Sequence, residues 1–231
     1  MKTKNGSQIH QVLSGRNKVY LIHSQDDWIL VDTGLSSYYP KLKQRLQKTL
    51  PANTRLTLFL THAHYDHTQN AKALKDDFNC RIIVSKQEDA FLKTGRTPLP
   101  QGTNFFAKWL VFLGETIGKS KTGFPPFESD EVVKDDMVFS SSLKIIQTPG
   151  HTVGSQSLIV DDEMAFVGDA MLEVFKNTIY PPFADDVKEM IQSWGKLLES
   201  NCRFFFPGHG RKVDRELLEN EYHKHSRKML L

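Results

Sequence analysis

The chain has 231 residues, of which 39% are hydrophobic and 25% charged, enough apolar material to bury a core as one large domain or two small ones and too much for a disordered segment. A formal net charge of +3 with no block of five basic residues gives nucleic-acid binding no support, and no apolar run approaches the ~18 residues that a membrane helix needs. Met1 to Gly6 leads into no apolar export core, so a soluble, cytoplasmic protein is expected.

Lys18 to Ile22 and Trp28 to Val31 read as strands paired across the Ser24 to Asp27 turn, and the second runs into Asp32-Thr33-Gly34. Ser36 to Leu50 has Leu42, Leu46 and Leu50 at helical spacing, with Lys41, Lys43, Arg45 and Lys48 around them as a solvated face. The apolar run Leu56 to Leu60 then reads as a buried strand and delivers Thr61-His62-Ala63-His64-Tyr65-Asp66-His67 at its end. Three imidazoles and a carboxylate at this spacing outline a metal site. His62 and His64, two apart, can aim at one ion from a single extended turn, while Asp66 and His67 can aim at a second. Asp66 to Phe78 reads as a helix and Arg81 to Val84 as a returning strand.

From Lys86 to Asp136 no single period persists. Pro98, Pro100, Pro125 and Pro126 interrupt the stretch, yet Phe106, Trp109/Leu110, Leu113 and Ile117 fall on one helical stripe. One reading is a lid-like insertion in which Phe105, Phe106, Trp109 and Leu110 touch substrate. The others are a packing helix and a homodimer contact.

The second half repeats the logic of the first. Leu143 to Ile146 runs into Pro149-Gly150-His151, Met164 to Val167 into Gly168-Asp169, and Arg203 to Phe206 into Pro207-Gly208-His209. Pro and Gly ahead of each histidine suit a sharp turn with close backbone approach. Asp185 to Ser200 reads as a helix with Val187, Met190, Ile191 and Trp194 on its apolar face. A last helix, Asp214 to Leu230, places Lys224, Arg227 and Lys228 at the negative end of its dipole. Cys80 and Cys202 lie in strand-like stretches and are not spaced for zinc, as expected of two reduced core thiols.

Five of the nine histidines, together with Asp66 and Asp169, thus sit where strands end, while His10, His23, His223 and His225 have no such setting. Asp32-Thr33-Gly34, His62-Ala63-His64-Tyr65-Asp66-His67, Thr148-Pro149-Gly150-His151-Thr152, Gly168-Asp169 and Pro207-Gly208-His209-Gly210, in this order, resemble the motifs of the metallo-β-lactamase-fold hydrolase superfamily, including its glyoxalase II-like and lactonase-like members. The resemblance implies an α+β fold, a four-layer αββα sandwich, with residues 1–231 as a single domain carrying a lid-like insertion at about 86–136. It implies that His62, His64 and His151 hold one metal and Asp66, His67 and His209 the other, with Asp169 bridging. Asp32 is then the acid that fixes a ligand's orientation. The cofactors implied are two divalent ions, Zn2+ first, with Fe or Mn as alternatives.

The chemistry this implies is hydrolysis by a metal-bridging hydroxide, with Asp66 accepting or relaying a proton. Zinc lowers the pKa of bound water to about 7, and the two cations outweigh Asp66, Asp169 and the hydroxide by about one charge, which attracts an oxyanion. The chain also departs from named subfamilies. Asp169 stands where one subclass of secreted zinc β-lactamases has a cysteine ligand, Leu172 where acyl-homoserine lactonases have a catalytic tyrosine, and His64 where flavodiiron proteins have a glutamate. Few residues follow His209, short of the helical extension that glyoxalase II enzymes use for glutathione. The expected function is therefore binuclear metal-dependent hydrolysis of an ester, thioester, lactone or related acyl bond in a small molecule. A mononuclear iron persulfide dioxygenase-like oxidoreductase and a non-catalytic ligand-binding or sensor protein of the same fold are the alternatives.

Overall fold

The computed structural model describes residues 1–98, 101–103 and 123–228. It divides into two compact units, one formed by Met1–Thr97 and Thr122–Lys134, the other by Pro98–Lys121 and Asp135–Leu231.

The first unit is built on a six-stranded sheet in the order β1 to β6: Gln8–Leu13, Val19–Ser24, Asp27–Val31, Leu56–Phe59, Arg81–Ser85 and Glu131–Val133. The first three strands are antiparallel hairpins, and β3 to β6 run parallel. Parallel neighbours need crossovers, and helices supply them. A 3₁₀ turn at Ser36–Tyr38 and α1 (Tyr39–Thr49) join β3 to β4, α2 (Tyr65–Thr68) and α3 (Ala71–Phe78) join β4 to β5, and α4 (Lys86–Thr94) leaves β5.

Leu21, Leu30, Leu58 and Ile82 are cross-strand neighbours on one face, where they share a core with Leu42 and Leu46 of α1, Leu74 of α3 and Leu92 of α4. Ile22, Ile29, Phe59 and Ile83, at the alternate positions, are buried as well. Burial on both faces explains why these strands read as continuous apolar runs rather than as alternation.

Two expectations change here. The single helix expected over Asp66 to Phe78 is two helices, because the Asn70 side chain turns away to donate to the carbonyls of Thr33, Gly34 and Leu35 at 2.9 to 3.0 Å. The stretch Lys86 to Asp136, which has no period, contains α4 and β6. α4 buries only Glu88 and Leu92, and β6 has three residues, too few to print a pattern.

The second unit holds a sheet in the order β12-β11-β10-β9-β8-β7, formed by β7 (Met137–Ser140), β8 (Leu143–Gln147), β9 (Gln156–Val160), β10 (Met164–Gly168), β11 (Phe204–Pro207) and β12 (Val213–Asp214). Its pairs are antiparallel except β10 with β11, whose crossover carries α5 (Val187–Glu199). Asp186 caps α5 by accepting from the Glu189 N–H at 2.9 Å. Met190, Ile191, Trp194 and Leu197 of α5 pack with Ile159, Ala165, Val167 and Phe205 of the sheet and with Leu218 of α6 (Arg215–Lys228). Cys80 and Cys202 are free thiols, both buried, one in each unit. Among the described residues no helix is long and apolar enough to cross a membrane.

Candidate metal centre

In the first unit β3 and β4 lie side by side in parallel, with Val31 opposite Phe59, so Asp32 and Thr61 leave the sheet at the same edge. Asp32 adopts a left-handed backbone, φ +60°, which short polar residues tolerate best among those with a side chain. Its buried carboxylate accepts from the Thr61 N–H at 2.9 Å, the Thr61 hydroxyl at 2.9 Å and Nδ1 of His67 at 2.8 Å. Thr33 adds its N–H and its hydroxyl to the His67 carbonyl at 2.9 and 2.8 Å. With Nδ1 donating to a carboxylate, His67 is held as the tautomer whose Nε2 carries the lone pair.

The same loop gathers two more rings. Nε2 of His62 stands 2.9 Å from Nδ1 of His64, and the Thr61 hydroxyl 3.1 Å from Nδ1 of His62. The His62 ring centroid is 4.6 Å from that of His64 and 4.2 Å from that of His67. Two residues not singled out from the sequence hold this arrangement. Glu88, 1% exposed in the first turn of α4, accepts from the Ala63 N–H between the two histidines at 3.0 Å. Asn17, from the β1–β2 connection, donates through Nδ2 to Oδ2 of Asp66 at 2.8 Å.

In the second unit β10 and β11 are parallel with Gly168 opposite Pro207, so Asp169 and His209 also leave a common edge, and Gly208 N–H donates to the Gly168 carbonyl at 2.8 Å. Oδ2 of Asp169 lies 3.6 Å from Nε2 of His151 and 3.4 Å from Nε2 of His209. Donors ~2.1 Å from a common tetrahedral ion stand ~3.4 Å apart, so each pair has the spacing of co-ligands. Nδ1 of His151 is 3.0 Å from the Phe183 carbonyl, which makes it a donor and gives Nε2 the lone pair. The turn before His151 requires glycine. Gly150 has φ +124°, and a Cβ there would lie 2.2 Å from the Met190 nitrogen.

The structure therefore gathers Asp32, His62, His64, Asp66 and His67 at one edge of the first unit, and His151, Asp169 and His209 at one edge of the second. Phe105, Phe106, Trp109 and Leu110 lie outside the described residues.

Residues 15–209 match the Metallo-beta-lactamase superfamily. The chain belongs to that superfamily. Over 199 residues, 85% of this chain and 88% of the relative, it is 29% identical to a probable metallo-hydrolase of Methanocaldococcus jannaschii. It is 24% identical over 221 residues to an atrochrysone carboxyl ACP thioesterase of Aspergillus fumigatus, a match that takes in 93% of this chain and 56% of the fungal protein. An archaeal metallo-beta-lactamase superfamily protein from Sulfolobus tokodaii has the same fold, with a TM-score of 0.65 at 20% identity over 94% of this chain and 85% of that one. The α+β metallo-β-lactamase fold expected from the sequence is the fold of this chain.

For a member of this superfamily the donors present are the right kind. Imidazole and carboxylate suit divalent zinc, iron and manganese, and the rings of His67 and His151 are each oriented by an acceptor on the far nitrogen. Tyr65, beside these donors, has its hydroxyl pKa raised, first by burial and then by the Asp66 charge, with Arg16 and His67 acting in the opposite direction. Burial likewise raises the Asp185 carboxyl, partly offset by a hydrogen bond from Gln101 and by His151.

Proposed function

We propose that the chain is a binuclear metal-dependent hydrolase of an ester, thioester, lactone or related acyl bond in a small molecule. His62, His64 and His151 would hold one divalent ion, Asp66, His67 and His209 the other, and Asp169 would bridge the two. The observation that carries this reading is the placement of one Asp169 oxygen 3.4 and 3.6 Å from two imidazole nitrogens, each pair at co-ligand spacing. When bound, zinc, or iron or manganese in its place, supplies a water acidified toward neutral pH and positive charge for an oxyanion.

The protein's own groups do the rest. Asp32 and the Phe183 carbonyl each accept from Nδ1, which leaves Nε2 of His67 and of His151 as the aimed lone pair, so neither ring has to reorganise as charge develops. Asp66 takes up the proton released as the acyl bond is attacked, with its carboxylate steadied by Asn17.

Metal analysis with an activity panel tests this. A thioester leads the panel because the fungal relative is named a thioesterase, with simple esters and lactones beside it. The expected result is about two metal ions per chain and turnover that Asp66→Asn abolishes. One iron per chain with oxygen uptake on a persulfide replaces the reading with a dioxygenase. Ligand binding without turnover, surviving Asp66→Asn, replaces it with a sensor.

A further inference from the structure

We infer that Asn17 is a positioning residue for Asp66, holding one carboxylate oxygen so that the other is offered to a cation, and that the β1–β2 connection is thereby part of the metal centre. The inference rests on the proposed function, in which Asp66 is a ligand.

Ser14, Gly15 and Arg16 are exposed, as the tip of a connection between strands should be, but Asn17 next to them is 3% exposed. A turn asparagine normally bonds its own backbone in water. Asn17 instead reaches a side chain 49 positions away, Nδ2 to Oδ2 of Asp66 at 2.8 Å. The connection is anchored on both sides, since Leu13 pairs with Val19 in the sheet and both are buried. The donor is therefore presented from a fixed frame.

A carboxylate on a short side chain has a broad, nearly two-fold χ2 well, so it exchanges its oxygens unless a partner fixes one of them. A lysine or arginine could fix it too, but would cancel the negative charge that draws a cation. An amide N–H fixes the oxygen and leaves the charge in place. Partners of this kind, one bond removed from a metal, are worth about 10–100-fold in metal affinity.

Metal-free wild type, Asn17→Ala and Asn17→Leu are titrated with Zn2+ by calorimetry, alongside thermal melts of the metal-free proteins and kcat and KM on the best substrate from the panel. Asn17→Leu keeps the branched shape of asparagine but has no N–H to give Asp66 and adds no charge, so a space-filling role would tolerate it. The expected result is two binding steps in wild type, one of them weakened about 10–100-fold in both variants. The other step and the melting temperature stay put, and kcat falls more than KM changes. Variants that bind as wild type does overturn this inference alone. Two steps weakened equally, with a lowered melt, overturn it in favour of a general structural role. A wild type that binds no second ion overturns both this inference and the proposed function.

Should neither variant fold, the side-chain amide resonance of Asn17 in 15N-asparagine-labelled wild type decides. It shifts with one equivalent of Zn2+ and not with the other, or the inference fails.

Discussion

Asp32 and His67, 35 positions apart, meet through a 2.8 Å contact between Oδ2 and Nδ1, and the same carboxylate takes the main-chain and hydroxyl hydrogens of Thr61. One buried acid thus fixes both ends of the loop that carries the first four proposed ligands. Asp32→Asn isolates this role, because asparagine has nearly the same volume and accepts the left-handed φ of +60° at that position. The amide then meets His67 and Thr61 with less acceptor capacity and no charge. The metal-free protein is expected to lose about 1–3 kcal/mol in a denaturant titration, and Zn2+ affinity about 10–100-fold. A variant with wild-type zinc affinity would show that the His67 ring needs no such partner.

The ligand motifs and the strands that run into them are readable because each is local. An apolar run ended by His, Asp or Pro-Gly-His announces both a strand and the edge at which it stops, as Leu56 to His67 and Arg203 to His209 do. β9 carries no such signal, because it opens with Gln156-Ser157, polar residues that are fully buried here. Glu88 and Asn17 could not be found at all. Each acts on a segment 25 and 49 positions away, and in the sequence they look like a first-turn acid and a turn amide.

Glu88 yields the second prediction. Its buried carboxylate is the acceptor for the Ala63 N–H, the peptide that sets the separation of His62 and His64. Glu88→Ala leaves that N–H buried without this acceptor, and an unsatisfied backbone donor costs about 1–3 kcal/mol. Glu88→Gln keeps a carbonyl oxygen in reach and is expected to retain most of the stability. Unfolding midpoints of the two metal-free variants check the ordering, and equal losses would mean that the charge matters rather than the hydrogen bond.

The third prediction concerns acid. His225, on α6, stacks on Tyr180 with ring centroids 4.7 Å apart and meets Trp194 edge-on at 6.0 Å, while Glu221, Lys224 and Lys228 face it from its own helix. Burial pushes its pKa below the ordinary value, Lys224 and Lys228 act the same way, and Glu221 opposes them. The folded protein then takes up this proton less readily than the unfolded chain does. Its contribution to stability is full above the unfolded pKa of about 6.5 and is lost as pH falls through the lower folded value. Urea midpoints of metal-free wild type should therefore drop more steeply below about pH 6.5 than those of His225→Gln. Parallel curves would refute the assignment.

Gly150 supports the last prediction, and Gly15 serves as its control. Their backbones are alike, φ +124° and +125°, yet a Cβ on Gly150 would lie 2.2 Å from the nitrogen and 2.4 Å from the Cα of Met190, while one on Gly15 would meet nothing within 4 Å. The contact at Gly150 is with the backbone of the first turn of α5, which cannot swing aside as a flexible side chain can. That helix is tied to the same turn, since Asp186 N–H donates to the Gly150 carbonyl at 2.9 Å and the Ser193 hydroxyl to the Pro149 carbonyl at 2.7 Å. Gly15→Ala should cost only the backbone strain, about 1–3 kcal/mol. Gly150→Ala adds displacement of α5 to the same strain and should exceed about 4 kcal/mol or fail to fold. Because His151 follows directly, a folded Gly150→Ala protein should also bind Zn2+ more weakly than wild type does. Equal stability losses in the two variants would mean that the turn and the helix are not pressed together as described.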